Sequence, residues 1–475
     1  MALPANKTRI VATIGPASSA PEVLVRLVWA GLDVARLNFS HGDFDDHARV
    51  IEDVRAAARA AGRRVAIMAD LPGPKLRIGR LARDPMELAA GDTFTLTVTP
   101  DVSEARRVSV SFPRLAEAAR PGSDLYLNDA LIQLEVTRVD GADVVCRVVT
   151  GGELRSRKGL SLPGLDLGMA AFTPRDRECL AFALAHGVDA VSQSFVESAA
   201  DVRAVREAAA ADGHQPFVIA KIERARACDR IGEILDAADG IMVARGDLGV
   251  EIPIERIALV QKALVREANL RGKPVIIATE MLESMTAARR PTRAEATDVA
   301  NAVLDGTDAV MLSGESAMGR YPVDAVAMLA RIAAAVEPLR PAAWVRESLR
   351  RPPRDGTASV TDVISLSIEA AVEQIAPAAV VVPTRGGATA RRITRFRLPV
   401  WIVAVCGQES ICQHLQFSYG VHPIFEPDPP DDWRSFARQW LRTHGLSGRH
   451  VLLAAGPSPR HPDANHRVEV IDLES

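Results

Sequence analysis

A chain of 475 residues with a formal net charge of −3 is too long for one hydrophobic core and has no basic surplus to attract nucleic acid or an anionic membrane. Hydrophobic residues make up 48 %, yet no uninterrupted apolar run reaches the length of a membrane span. The five cysteines form no Cys-x-x-Cys pair and the N-terminus has no apolar signal core, so the expectation is a cytoplasmic enzyme of two or three domains with reduced thiols.

Short apolar runs at 9–13, 34–39 and 65–70, then at 190–195, 217–222, 240–244, 274–279 and 309–312, predict eight strands. Alanine-rich amphipathic stretches such as 199–212, 255–271 and 322–336 predict helices after them. Thr292-x-x-Glu295, and Thr173-Pro174 with Asp176 in the first turn, are helix-start signals. Eight strand–helix units in succession imply an α/β fold, a (β/α)8 TIM barrel over 1–77 and 158–340, with its active site at the C-terminal ends of the strands. The repeat breaks once. Over 78–157 the pattern alternates with period two, as in Thr93-Phe-Thr-Leu-Thr-Val-Thr99 and Ile132-Gln-Leu-Glu-Val-Thr-Arg-Val139, and Asp140-Gly141 marks a hairpin turn. A small all-β insertion at the catalytic rim is placed to act as a lid. A Pro/Arg-rich passage over 338–356 reads as a linker into a C-terminal α/β domain, 341–475, with strands at 379–382, 400–405 and 450–454.

The densest chemistry lies at the strand tips. Ile241-Met-Val-Ala-Arg-Gly-Asp-Leu-Gly-Val-Glu-Ile-Pro253 ends a buried strand on a glycine-flanked acid, Asp247. One strand earlier, Lys221 and Glu223 point to the same side. Taken singly, Lys221 and Glu223 read as a surface ion pair and Asp247 as a helix cap. Together, on consecutive strands, they suggest a magnesium site beside an anionic substrate. The other tips add Thr13-Ile-Gly-Pro16, Arg36-Leu-Asn-Phe-Ser-His-Gly42, Asp70-Leu-Pro-Gly-Pro-Lys75, Gln193-Ser-Phe195, Thr279-Glu280 and Ser313-Gly-Glu315. Such cationic, acidic and hydroxyl groups suit a Mg²⁺-bound phosphorylated acid.

Several of these segments resemble the pyruvate kinase family: Lys7-Thr-Arg-Ile-Val-Ala-Thr-Ile-Gly-Pro-Ala-Ser18, Val34-Ala-Arg-Leu-Asn-Phe-Ser-His-Gly42, Lys158-Gly-Leu-Ser-Leu-Pro-Gly164, 240–253, 272–285 and 290–316. The resemblance covers the barrel, is weaker in the insertion and extends loosely through the C-terminal domain. It implies phosphoryl transfer from phosphoenolpyruvate to ADP, giving ATP and, after protonation of the enolate, pyruvate. It further implies Mg²⁺ (or Mn²⁺) and a homotetramer. By resemblance, Glu223 and Asp247 hold the metal, Lys221 stabilises the phosphoryl group in flight, and Arg36 clamps it. The backbone N–H groups of Gly246 and Asp247 would take the substrate carboxylate with the Thr279 hydroxyl, and a water relay through Thr279 and Ser313 would protonate the enolate. Pro16, Asn38 and His41 would lie near the nucleotide, with Asp129 reaching its metal.

Departures from the family's pattern matter as much. Lys75 stands where the family carries either glutamate, with dependence on K⁺, or lysine, with independence from it. A residual K⁺ pocket of Asn38, Ser40 and Asp70 remains, but the Lys75 ammonium makes the ion dispensable. The plainer alternative is a surface pair of Lys75 with Asp70. Glu280 replaces glutamine, Arg224 replaces asparagine, and Asn128-Asp129-Ala130 lacks the family's glycine. Pro383-Thr-Arg-Gly-Gly-Ala-Thr-Ala-Arg391 resembles an effector-phosphate loop, with Thr384, Arg385, Gly387 and Thr389 as its candidates and a sugar phosphate or AMP as ligand. Gly386 replaces a serine there and 456–461 matches poorly, so a structural turn stands equally open. Two competing readings are a C–C lyase or aldolase on a Mg²⁺–enolate barrel, which lacks the β lid and the Lys221 anchor, and a diverged regulatory paralogue, supported only by Glu280 and Ala130.

Overall fold

A computed structural model describes residues 3–128, 130–165, 168–339, 343–350, 359–456 and 465–474. Asp129 and most of the 456–461 loop therefore lie outside the described residues. Eight strands, β1 (Arg9–Thr13), β2 (Leu32–Asn38), β3 (Ala66–Leu71), β4 (Ala190–Gln193), β5 (Phe217–Ile222), β6 (Gly240–Ala244), β7 (Val275–Ala278) and β8 (Ala309–Leu312), close into a barrel. Every neighbouring pair is parallel, and β8 returns to β1 with Arg9 opposite Ala309. These strands are nearly continuous apolar runs because helices cover one face and the barrel interior fills the other. The interior holds Val11, Met68, Ile219, Met242 and Ile276, and Phe417 from the C-terminal domain closes its lower mouth, stacked on Phe217 at 5.3 Å.

Three predicted strands end early at the catalytic rim, the 34–39 run by one residue at Asn38. The 190–195 run stops at Gln193 and the 274–279 run at Ala278, because Phe195 (φ 58°) and Thr279 (φ 69°) turn into the left-handed region. Both capping boxes form: the Thr173 and Thr292 hydroxyls accept from the Asp176 and Glu295 amides at 3.1 and 3.2 Å.

The chain between β3 and β4 builds a seven-stranded sheet around its own core of Phe94, Leu134 and Cys146. Its central hairpin pairs Ile132–Asp140 with Asp143–Thr150, and Gly141 in the turn has φ 58°. The chain leaves and returns side by side: Ile78 N–H donates to the Lys158 carbonyl and Leu160 N–H to the Leu76 carbonyl, both at 3.0 Å.

Among the described residues the C-terminal α/β unit has five strands in the order Val421–Phe425, Trp401–Cys406, Ala379–Thr384, His450–Ala455, Arg467–Asp472, the last antiparallel. The two outer strands are additions to the sequence-based expectation. Buried charges join this unit to the barrel. Arg397 pairs with Asp308 at 2.9 Å and reaches Asn269 Oδ1 at 2.7 Å, while Arg9 pairs with Asp33 at 3.0 Å and donates to the Ser418 carbonyl at 2.9 Å.

Candidate active site

Lys221, on the last turn of strand geometry in β5, enters a nest of groups supplied by its neighbours. Its Nζ donates to Ser194 Oγ at 2.7 Å and lies 2.7 Å from Glu223 Oε1 and 3.5 Å from Asp70 Oδ1. The lysine side chain is 11 % exposed and that of Glu223 1 %. Burial alone would lower the Lys221 pKa, but Asp70 and Glu223 outweigh it and hold the ammonium above its ordinary range. Burial likewise opposes ionisation of Asp70, yet Lys221 and Arg36 hold its carboxyl below the usual value. The surface-pair reading of Lys221 and Glu223 is thus replaced by a buried cluster.

Arg36 is fixed at two points. Its Nε and Nη2 donate to Asp70 Oδ2 at 2.9 and 2.6 Å, and its Nη1 donates to Thr13 Oγ1 at 2.8 Å. Ser192 Oγ takes the other Asp70 oxygen at 2.6 Å. Ser192 was not singled out from sequence, and Ser194 entered only as part of the Gln193-Ser-Phe195 tip. Their signal is the same period-two spacing that aligns Lys221 with Glu223, one strand over.

Glu223 Oε2 accepts from the Phe195 amide at 2.9 Å, which explains the strained backbone at that tip. Asp247 opens the short helix Arg245–Glu251 and is exposed. It contributes to the charge balance at Lys221 and lines one cavity of about 200 Å³ together with Glu223, Lys75, Arg224 and Glu251. Among the described residues no group of three or more His, Cys, Asp or Glu side chains is placed to hold a metal ion. Two hard carboxylate donors facing one polar cavity do fit Mg²⁺, which fills the rest of its shell with water and substrate oxygens.

Thr279 joins the set through the backbone. The Gly246 amide donates to Thr279 Oγ1 at 2.7 Å, and that hydroxyl donates to the Ala278 carbonyl at 2.6 Å. Gly246 and Thr279 are therefore together, the amide of one spent on the hydroxyl oxygen of the other. Arg245 holds the Thr279 carbonyl at 2.8 Å and Asp298 at 2.7 Å. Ser313 sits at the β8 tip, where its amide donates to the buried Glu315 at 2.7 Å.

The remaining candidates spread around the rim. Pro16 and His41 are exposed, and the Asn38 side chain accepts from the Ser40 amide at 3.1 Å. Burial first, then Lys75, Arg77 and Arg36, lowers the His41 pKa. Among the described residues Lys75 makes no ion pair with Asp70, whose oxygens serve Arg36, Ser192 and Lys221. Glu280 is exposed and, after burial and Glu315, helps raise the Glu283 pKa. In the C-terminal domain, Thr384, Arg385 and Thr389 line a second cavity of about 200 Å³. The Gly387 amide donates to Thr384 Oγ1 at 2.9 Å, so part of that loop's donor capacity is used internally.

Comparison with known proteins gives one consistent result. The family profile described as "Pyruvate kinase, barrel domain" matches residues 5–326, and "Pyruvate kinase, alpha/beta domain" matches residues 362–466. A pyruvate kinase of Thermococcus litoralis is 46 % identical over 431 residues, 89 % of this chain and 90 % of that protein. One from Mycobacterium intracellulare is 44 % identical over 422 residues, 89 % and 88 % of the two chains. The crystal structure of a pyruvate kinase from Cryptosporidium parvum superposes with a TM-score of 0.91 at 33 % identity, covering 99 % of this chain and 96 % of that one.

Proposed function

The chain belongs to the pyruvate kinase family, and on that premise we propose how its own residues divide the work of a phosphotransferase acting on phosphoenolpyruvate and ADP. The observation that carries the reading is the burial of Lys221 among Ser194, Asp70 and Glu223 at the tips of adjacent strands. A compact ammonium held charged in a nearly dry pocket stabilises a phosphoryl group as it passes between oxygens. Arg36, locked by Asp70 and Thr13, presents its planar guanidinium to the same group without rotamer loss on binding.

Glu223 and Asp247 would hold Mg²⁺ or Mn²⁺, which when bound supplies Lewis-acid stabilisation of enolate and phosphoryl oxygens. A substrate carboxylate docks at Gly246 and Asp247 by taking over the amide that now serves Thr279. The Thr279 oxygen, its proton still directed to the Ala278 carbonyl, then accepts from the water that, with Ser313, delivers a proton to the enolate. Pro16, Asn38, His41 and Asp129 bind the nucleotide.

Lys75 replaces the monovalent cation, so the enzyme works without K⁺. Its place on the cavity wall and its effect on His41 support this. The protein acts in the cytoplasm as a homotetramer, and exposed apolar side chains such as Ile254, Leu259, Val360 and Val363 are of the kind such an assembly would cover. The Thr384–Thr389 loop receives a sugar phosphate or AMP.

A coupled assay with phosphoenolpyruvate, ADP and Mg²⁺ tests the core of the reading. Lys221→Met should lower turnover by at least about 10²-fold, as expected for removing a transition-state donor. Absence of pyruvate formation, or a variant equal to the parent, would reject it.

A further inference from the structure

Arg224 follows Glu223 directly, and its side chain is 7 % exposed. Its guanidinium is shared among three segments. Nε pairs with Glu197 Oε1 at 3.1 Å in the loop after β4, and Nη1 pairs with Glu251 Oε1 at 2.8 Å. Nη2 donates to the Leu165 carbonyl at 3.3 Å in the chain returning from the inserted domain. Three acceptors spread around one plane suit a guanidinium and not an ammonium.

Glu251 is the last residue of the Arg245–Glu251 helix, and its side chain is 6 % exposed. Asp247 lies four residues before it, on the same helix face. The helix has about two turns; Arg245 and Gly246 anchor its start to Thr279 and Asp298, and the buried Arg224–Glu251 pair ties its end to the loop after β5. The Ala225 amide adds a second, longer contact to Glu251 at 3.5 Å. The loop that starts at Glu223 thus grips the helix that carries Asp247. A second arginine, Arg226, holds Glu197 at 3.3 Å, which steadies the far side of the grip.

We infer that Arg224 is a positioning residue: by holding Glu251 it sets the separation of the Glu223 and Asp247 carboxylates, and with it the affinity of the divalent-cation site. This rests on the reading of those two acids as the ligands. Mn²⁺ alone, titrated calorimetrically into the full-length protein without substrates, is the probe. Arg224→Asn should weaken Mn²⁺ binding by about tenfold, the usual effect of removing a group that orients a ligand. At saturating Mn²⁺ the variant should keep most of the parent's kcat. Arg224→Lys should bind Mn²⁺ with an affinity between the two. Because the single variant leaves Glu251 buried without its partner, the Arg224→Asn/Glu251→Gln pair removes both charges and spares the fold. It should show the same weakened binding with an unfolding temperature near the parent's. Asp247→Asn separates the two levels: if it binds Mn²⁺ like the parent, the ligand assignment fails. If it loses binding while Arg224→Asn and the double variant, both folded, bind Mn²⁺ like the parent, the positioning role is overturned.

Discussion

At the scale of single residues, the site is defined by how little freedom its charges have. Asp70 serves Arg36, Ser192 and Lys221 at once, so neither cation can be removed without leaving a buried acid exposed to its neighbour's loss. Lys75 is the contrasting case, an exposed side chain on the cavity wall with no carboxylate partner among the described residues. Its ammonium therefore remains available to do a cation's work. In tetramethylammonium buffer, added KCl should raise kcat/KM by less than about twofold, whereas Lys75→Glu should restore a stimulation of tenfold or more, equivalent to about 1.4 kcal/mol of lost cation contact. A large KCl response of the parent would reject the assignment. The gathering of Arg36, Asp70, Lys221 and Glu223 at neighbouring strand tips was legible in the sequence from charge and spacing. Ser192 was not, because a short hydroxyl on a buried strand has no compositional signal until its partner is known.

At the scale of elements, the barrel strands were readable because parallel strands are buried on both faces and appear as unbroken apolar runs. Their ends were not, since Phe195 and Thr279 adopt left-handed backbone that no glycine announces. In the C-terminal sheet Val421–Phe425 was missed for a related reason. Pro423 argues against a central strand, and the element lies at the sheet edge, where a missing donor is tolerated. The inserted domain offers a direct test of element-level strain. Ala130 sits at φ 64°, where the family's glycine would be unstrained. Ala130→Gly should stabilise this turn by about 1 kcal/mol, read as greater denaturant resistance of the inserted domain. An unchanged or lower midpoint would show that the neighbours, not the backbone, decide this turn.

At the scale of the whole molecule, barrel and C-terminal unit are welded by the Arg397–Asp308 pair and by Arg9 donating to the Ser418 carbonyl, and Phe417 seals the barrel floor. Beside that seam, His422 packs against Trp440 and His444, and burial, then His444 and Arg9, pushes its pKa down to about 3. The unfolded ring titrates near 6.5. Between those values the unfolded chain binds the proton and the folded chain does not, so stability rises with pH through that window and is flat above it. Each unit of acidification below 6.5 should cost up to about 1.4 kcal/mol from this ring, and His422→Gln should flatten the profile measured by urea denaturation from pH 6.5 to 4. An identical slope in parent and variant would place the acid sensitivity elsewhere.

The bridged segments on which the inserted domain leaves and rejoins the barrel have a mechanical meaning. Two chains bonded at Ile78–Lys158 and Leu160–Leu76 behave as one ribbon. A body held on a single ribbon is expected to swing about one axis instead of wandering on two tethers. Its travel is then described by one angle, and a spin-label pair across the cavity mouth should report a single distance coordinate for opening and closing.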